Sequence, residues 1–162
     1  MRYAITFLAV LLTAAGARAA DPVYLDELIE TPMPALESQF GAMKREGCFQ
    51  IAPDRFLLLE FDKKVHKPWR VVVSSIDPCK RVAAGPQIEV RERNGVQLGE
   101  ATVNVIGHLG RPDASAPPDS ILKKIGETEY LYICRAEQGC SRHTSVLIRD
   151  GVVTGIAVWY SD

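Results

Sequence analysis

Residues Leu98 to Gly110 constrain this chain more than any other stretch. They read Leu-Gly-Glu-Ala-Thr-Val-Asn-Val-Ile-Gly-His-Leu-Gly and run into Arg111-Pro112-Asp113. Leu98, Val105 and Leu109 mark one face of a short helix. Gly110 ends it, and Pro112 blocks any continuation. The same skeleton occurs 69 residues earlier, where Ile29, Leu36, Phe40 and Gly41 stand at the offsets of Leu98, Val105, Leu109 and Gly110. The chain therefore reads as two copies of one unit, and a duplicated unit suggests a binding scaffold more readily than an enzyme.

Each helix is succeeded by strand-like sequence. In the first half, Pro34 can open a helix that runs to about Met43, since proline is tolerated in a first turn. A turn of helix is expected before it, at Leu25 to Ile29. Sheet sequence starts at Gly47-Cys48, continues through Phe56 to Phe61, and resumes over Trp69 to Ser75, which is rich in β-branched residues. Asp77-Pro78 breaks it. Ile88 to Arg91 reads as an edge strand, and Ala114 to Ser120, with Pro117-Pro118, as a loop. In the second half, Glu129 to Cys134, Thr144 to Ile148 and Val152 to Trp159 are strands. Asp150-Gly151 between the last two marks a tight hairpin, because both turn positions need positive φ. The expected fold is α+β: two tandem helix-plus-antiparallel-sheet repeats, 20–84 and 85–162, joined edge to edge into one open sheet with both helices on one side. The opposite face is expected to stand open to solvent or a partner.

The first nineteen residues read as an export signal. Arg2 gives a positive start, Ala4 to Ala15 is almost wholly apolar, and Ala17-Arg18-Ala19 places small residues for cleavage before Ala20. The apolar run is too short to span a bilayer comfortably, and no cysteine near the cut offers a lipid anchor, so a periplasmic or secreted protein without a stable membrane anchor is expected. Removing nineteen of the 162 residues leaves 143, enough for one domain or two small subdomains sharing a core. Loss of Arg2 and Arg18, with no acidic residue, takes the formal charge from −1 to −3. A mildly acidic chain lacks the basic stripe that nucleic acid requires.

The four cysteines, Cys48, Cys79, Cys134 and Cys140, form an even set, which in an exported chain reads as two disulfides. Three pairings are possible. Cys48–Cys79 with Cys134–Cys140 is favoured, since each bridge then falls within one repeat. Zinc is the alternative, but no Cys-x-x-Cys pair supports it.

The second half resembles a known family. The Leu98 to Gly110 unit, with later strands ending in Ser145 to Trp159 across the Asp150-Gly151 hairpin, is similar to the last repeat of β-lactamase-inhibitor proteins. It also resembles the related small lipoprotein of the outer-membrane β-barrel assembly machinery. Gly99 matches the glycine that opens the family's repeat helix, but Glu100-Ala101 replaces its Met-Thr, and Glu30 stands at that glycine's place in the first half. The resemblance implies an open antiparallel sheet, concave towards a protein partner, with helices behind.

Residues with chemical potential are sparse. His66, His108 and His143 lie at metal spacing neither from one another nor from a cysteine pair. No Gly-x-Ser-x-Gly elbow or phosphate loop is present, and no carboxylate pair stands out, so neither enzymatic activity nor a cofactor or metal is expected. The best surface candidate is the loop from Arg135 to Gly139, stapled if Cys134 and Cys140 are bonded, with Arg135, Glu137 and Gln138 as contacts. Tyr130 and Tyr132 alternate with Leu131 and Ile133, which places the tyrosines on the open face and the aliphatic pair towards the core. Trp69 and Trp159 read as core residues before contacts. The expected function is binding of another protein, as an inhibitor or immunity protein that occludes an envelope or cell-wall enzyme. An envelope assembly factor is the alternative, and a small hydrolase a more remote one.

Overall fold

The computed structural model describes residues 21–62, 66–134 and 142–160. The expected export signal, the contacts Arg135, Glu137 and Gln138, and Cys140 lie outside the described residues.

The chain opens with β1 (Val23–Tyr24), the helical turn α1 (Leu25–Leu28) and α2 (Met33–Phe40), then the meander β2 (Glu46–Ala52), β3 (Arg55–Phe61) and β4 (Pro68–Ser74). Two short strands, β5 (Ala83–Ala84) and β6 (Val90–Arg91), lead to α3 (Thr102–Leu109). Then come β7 (Ala114–Ala116), a 3₁₀ turn at Leu122–Lys124, and the meander β8 (Thr128–Ile133), β9 (Arg142–Arg149) and β10 (Val152–Tyr160). Eight strands form one open sheet in the order β5-β2-β3-β4-β10-β9-β8-β7, and β1 pairs with β6 in a separate ribbon. The fold is thus α+β and dominated by sheet. The two meanders meet at their last strands, β4 and β10, which run antiparallel from Gly155 opposite Ser74 to Trp159 opposite Arg70. The outermost strand β5 lies parallel to β2, and β7 occupies part of the stretch expected to be loop.

Both helices end on glycine. Gly41 has φ 93° and ψ 174°, and Gly110 has φ 80° and ψ −162°. Positive φ with extended ψ is a region that essentially only glycine enters, so each helix stops where its glycine stands. α2 therefore ends at Phe40 and does not reach Met43. α3 is shorter than its pattern at the other end. Gly99 N–H donates to Val153 O at 2.7 Å and Val153 N–H to Glu100 O at 2.9 Å, so these residues pair with the start of β10 before the helix begins.

Helix burial sits on one side of the sheet. Leu25, Leu28, Leu36, Phe40 and Val105 pack with Leu57, Leu59, Val71, Val73, Ile156 and Val158 in one cluster. The far side is not simply open, which corrects the expectation. Leu122 and Ile125, from the 3₁₀ turn and its end, pack there on Leu58, Val72, Leu147 and Ala157, flanked by Cys79 and Val82. Gly155 permits this approach, since a Cβ there would lie 2.6 Å from Ile125 Cγ2. Thr154 Oγ1–H donates to Ile125 O at 2.8 Å and fixes the segment. The apolar runs Leu57-Leu58-Leu59 and Val71-Val72-Val73 are buried throughout because both of their faces are covered.

The polarity of β8 is the reverse of that expected. Tyr130 and Tyr132 pack half-buried against the helix-side cluster, whereas Ile133 is 41% exposed. A period of two groups residues by face, but it does not say which face meets the larger core. Cys48 and Cys79 form a disulfide, which is compatible with an oxidising compartment. Cys134 is also disulfide-bonded, and its expected partner lies outside the described residues. Among the described residues no helix is long and apolar enough to cross a membrane.

Candidate functional site: a two-tryptophan cleft

On the face away from the helices, strand register lines up a row of residues unlike the rest of the sheet. Glu60 lies opposite Arg70, Arg70 opposite Trp159, Trp159 opposite His143, and His143 opposite Ile133. Trp69 joins this row through an irregularity. Phe61 pairs with Pro68 and Glu60 with Arg70, so Trp69 is an extra residue on β4. Such a bulge re-aims a side chain that strict alternation would send to the other face. The Arg70 guanidinium carbon lies 4.6 Å from the Trp69 ring centroid, a cation–π contact.

Arg70 is 5% exposed, and its charge is matched twice. Its Nε donates to Glu60 Oε2 and its Nη1 to Asp119 Oδ2. Asp119 also caps the 3₁₀ segment, because its Oδ1 accepts the N–H groups of Ile121 and Leu122, each at 2.9 Å. One carboxylate thus ties the covering segment to the sheet. Partial burial works against the charged form of Asp119, but hydrogen bonds from Arg70 and from the Leu122 and Ile121 N–H groups outweigh it and hold its carboxyl below the usual range. Burial likewise opposes the Arg70 charge, and the bonds to Glu60 and Asp119 overcome it, so its pKa is raised.

Between the Asp119 turn and β7–β8 this arrangement leaves a cleft of about 290 Å³. Trp69, Arg70, Asp119, Leu122, Leu131, Trp159 and Glu129 line it, with Glu129 four residues along β8 from the Ile133 that shares the Trp159 row. Trp159 is held in place. Its Nε1–H donates to Ser145 Oγ at 2.9 Å, and the His143 ring packs on it with centroids 4.7 Å apart. Ser145 is fully buried with its hydroxyl accepting the indole proton, so it supports the tryptophan and is not presented as a nucleophile. His143 is also buried, and its Nδ1 has no hydrogen-bond partner among the described residues.

Of the contacts singled out from the sequence, the described ones, Tyr130 and Tyr132, lie elsewhere. Tyr132 lines a separate hollow of about 500 Å³ on the helix side, with Leu109, Arg111, Cys134 and Arg142. Its hydroxyl donates to Gly110 O at 3.3 Å, and burial first, then the neighbouring Tyr130, raises its pKa. Tyr130 lies opposite Val146 on β9 and Ser115 on β7. A third hollow, about 570 Å³, has Ile51, Val73 and Ile156 on its apolar side and Arg55, Glu89 and Arg91 among its charged lining. His108 Nε2 lies 3.6 Å from Glu100 Oε2, and the backbone carbonyl of His66 accepts the Met33 N–H at 2.7 Å. Ligand-type atoms of Cys48, Asp77 and Cys79 come together, but both sulfurs are in the disulfide and Asp77 Oδ1 accepts the Cys79 N–H.

Sequence reasoning missed Glu60, Arg70 and Asp119. The available signal was a charge at the end of each apolar run, Glu60 after Leu57-Leu58-Leu59 and Arg70 before Val71-Val72-Val73. Strand positions flanked by so much buried apolar sequence hold charge only when it is paired. No protein-family model, curated protein or solved structure matches this chain.

Proposed function

We propose that this protein is an exported protein-binding module, an inhibitor or immunity protein that occludes the active site of an envelope or cell-wall enzyme. The observation that carries the reading is the cleft lined by Trp69 and Trp159, with the buried Arg70 between its carboxylates, on the side away from α1, α2 and α3. Tryptophan is among the residues that dominate protein–protein binding energy when set in well-packed hollows. Here both tryptophans are also held before any partner arrives, by the bulge, the paired charges of Glu60 and Asp119 and the Ser145 hydrogen bond. Contacts fixed in advance lose less entropy on docking. The periplasmic or secreted location rests on the charged, apolar and small-residue pattern of the first nineteen residues and accords with the Cys48–Cys79 disulfide.

The tandem-repeat reading belongs with this proposal. It rests on the equal 69-residue offset of α2 and α3, of their closing glycines, and of the extended residues Pro32 and Ala101 that precede them. The two meanders then meet at equivalent last strands.

The test is capture from envelope extract with the mature protein and with Trp159→Ala, then mass spectrometry and an activity assay of whatever is captured. An enzyme held and inhibited by the parent, and released by the variant, supports the reading. Capture of an outer-membrane assembly complex, or of nothing, overturns it.

A further inference from the structure

We propose that the two-tryptophan cleft receives a basic side chain of the partner, an arginine or a lysine, which enters beside the indole rings and ends at Glu129. The inference rests on the protein-binding reading and names the chemistry of the residue that reading needs.

Three observations carry it. The first is size. At about 290 Å³ the cleft falls at or below the lower end for drug-sized ligands and suits a single long side chain. The second is the sign of the charge. Arg70 is already matched by Glu60 and Asp119, and the Glu129 carboxylate carries no hydrogen bond or ion pair among the described residues. With Glu60 behind Arg70, three carboxylates therefore stand against one cation, and the surplus is negative. The third is hydrogen-bonding character. The Arg70 side chain is only 6% exposed, and the Trp159 indole N–H is committed to Ser145, so neither is offered to an incoming group. What a ligand meets is indole surface, aliphatic wall, Glu129, and the Asp119 carboxylate, which is 49% exposed. Acceptors and aromatic rings together suit a group with donors and no acceptor, which describes guanidinium and ammonium. A sugar would need donors as well as acceptors.

The chain carries two tryptophans, and both line this cleft, so intrinsic tryptophan emission reports on it alone. The full mature protein is titrated with the blocked peptide Gly-Gly-Arg-Gly-Gly and its lysine counterpart. The neutral isostere, with citrulline in place of arginine, and N-acetylglucosamine serve as controls. The expected result is a saturable emission change with the basic peptides and binding of the citrulline peptide weaker by about tenfold, the loss of one charge-dependent contact over aromatic rings. Glu129→Gln should weaken the basic peptides while leaving the melting temperature and the free-state emission unchanged. Equal response to arginine and citrulline, response to the sugar alone, or no response to any basic peptide overturns the proposal. If an enzyme is captured equally well by the parent and by Glu129→Gln while the basic peptides fail, only this inference falls. If nothing is captured but the basic peptides bind, the occlusion reading falls and the cleft chemistry stands.

Discussion

The two faces of the sheet use the same strands for different ends. On the helix side, buried apolar side chains from α1, α2, α3 and the strands make the larger continuous cluster, and the buried carboxylate of Glu92 lies at its margin. On the far side the apolar cluster is smaller, and beside it lie the buried Glu60, Arg70, His143 and Ser145. Apolar burial is non-directional and tolerates many sequences. Buried charge is costly unless each group has its partner in place. The helix side therefore supplies stability, and the far side gives up some of it to hold polar and aromatic groups in one arrangement.

The sharpest way to break this contrast is to remove one member of the buried charge set. Arg70→Ala leaves Glu60 enclosed without its cation and should destabilise by about 3–5 kcal/mol, read by chemical denaturation. The paired replacement Glu60→Leu with Arg70→Met should restore most of that stability, because the buried charges go together. Its cost should appear in the tryptophan emission and in partner capture. A double variant as unstable as Arg70→Ala would mean that the row is held for stability after all.

Helix-side truncation should behave in the opposite manner. Leu59 is fully buried against that cluster, and Leu59→Ala should cost about 2–5 kcal/mol as a cavity opens. The tryptophan emission of the folded variant should match that of the parent. A shifted emission in the folded state would show that the two faces are mechanically coupled.

The smallest effect is a pH dependence. The folded pKa of Asp119 lies below its unfolded value, so its contribution is present above the unfolded pKa and is lost as pH falls through the folded one. Glu30 on the helix side, hydrogen-bonded by Tyr160 and Lys67, is lowered too and adds to the same acid limb. Asp119→Asn should make the acid limb of a stability-versus-pH curve shallower without abolishing it. An unchanged limb would place the whole effect on the helix side. Tyr160 gives that side an alkaline limb of its own. Burial first, and then its bond to Glu30, push its pKa up to about 12. Its contribution is therefore complete below the unfolded tyrosine value and is lost as pH rises through about 12.

Local signals in the sequence were enough for the main helices and the two meanders, but not for β1, β5, β7 or the 3₁₀ turn. Gly41 and Gly110 end helices because of a backbone conformation that side chains do not share, and Asp150-Gly151 turns the hairpin with φ of 52° and 75°. The alternation of Tyr130 and Tyr132 correctly put the two rings on one face, and the even cysteine count together with the repeat layout pointed to the Cys48–Cys79 bridge. Apart from the bridge, which spans 31 positions, each of these depends on a residue and its near neighbours. The tertiary structure alone decided which face carried which residues. Leu122 and Ile125 reach the far face from an irregular segment with no strong periodicity, so nothing local announced that the face was covered or that β8 was turned over. The cleft is more remote still from sequence. Trp69 reaches it through one unpaired residue, and Arg70 meets Asp119 across 49 positions. Local patterns set what each segment can form. Contacts between distant segments set which side chains share a surface, because burial and charge pairing act through space and not along the chain.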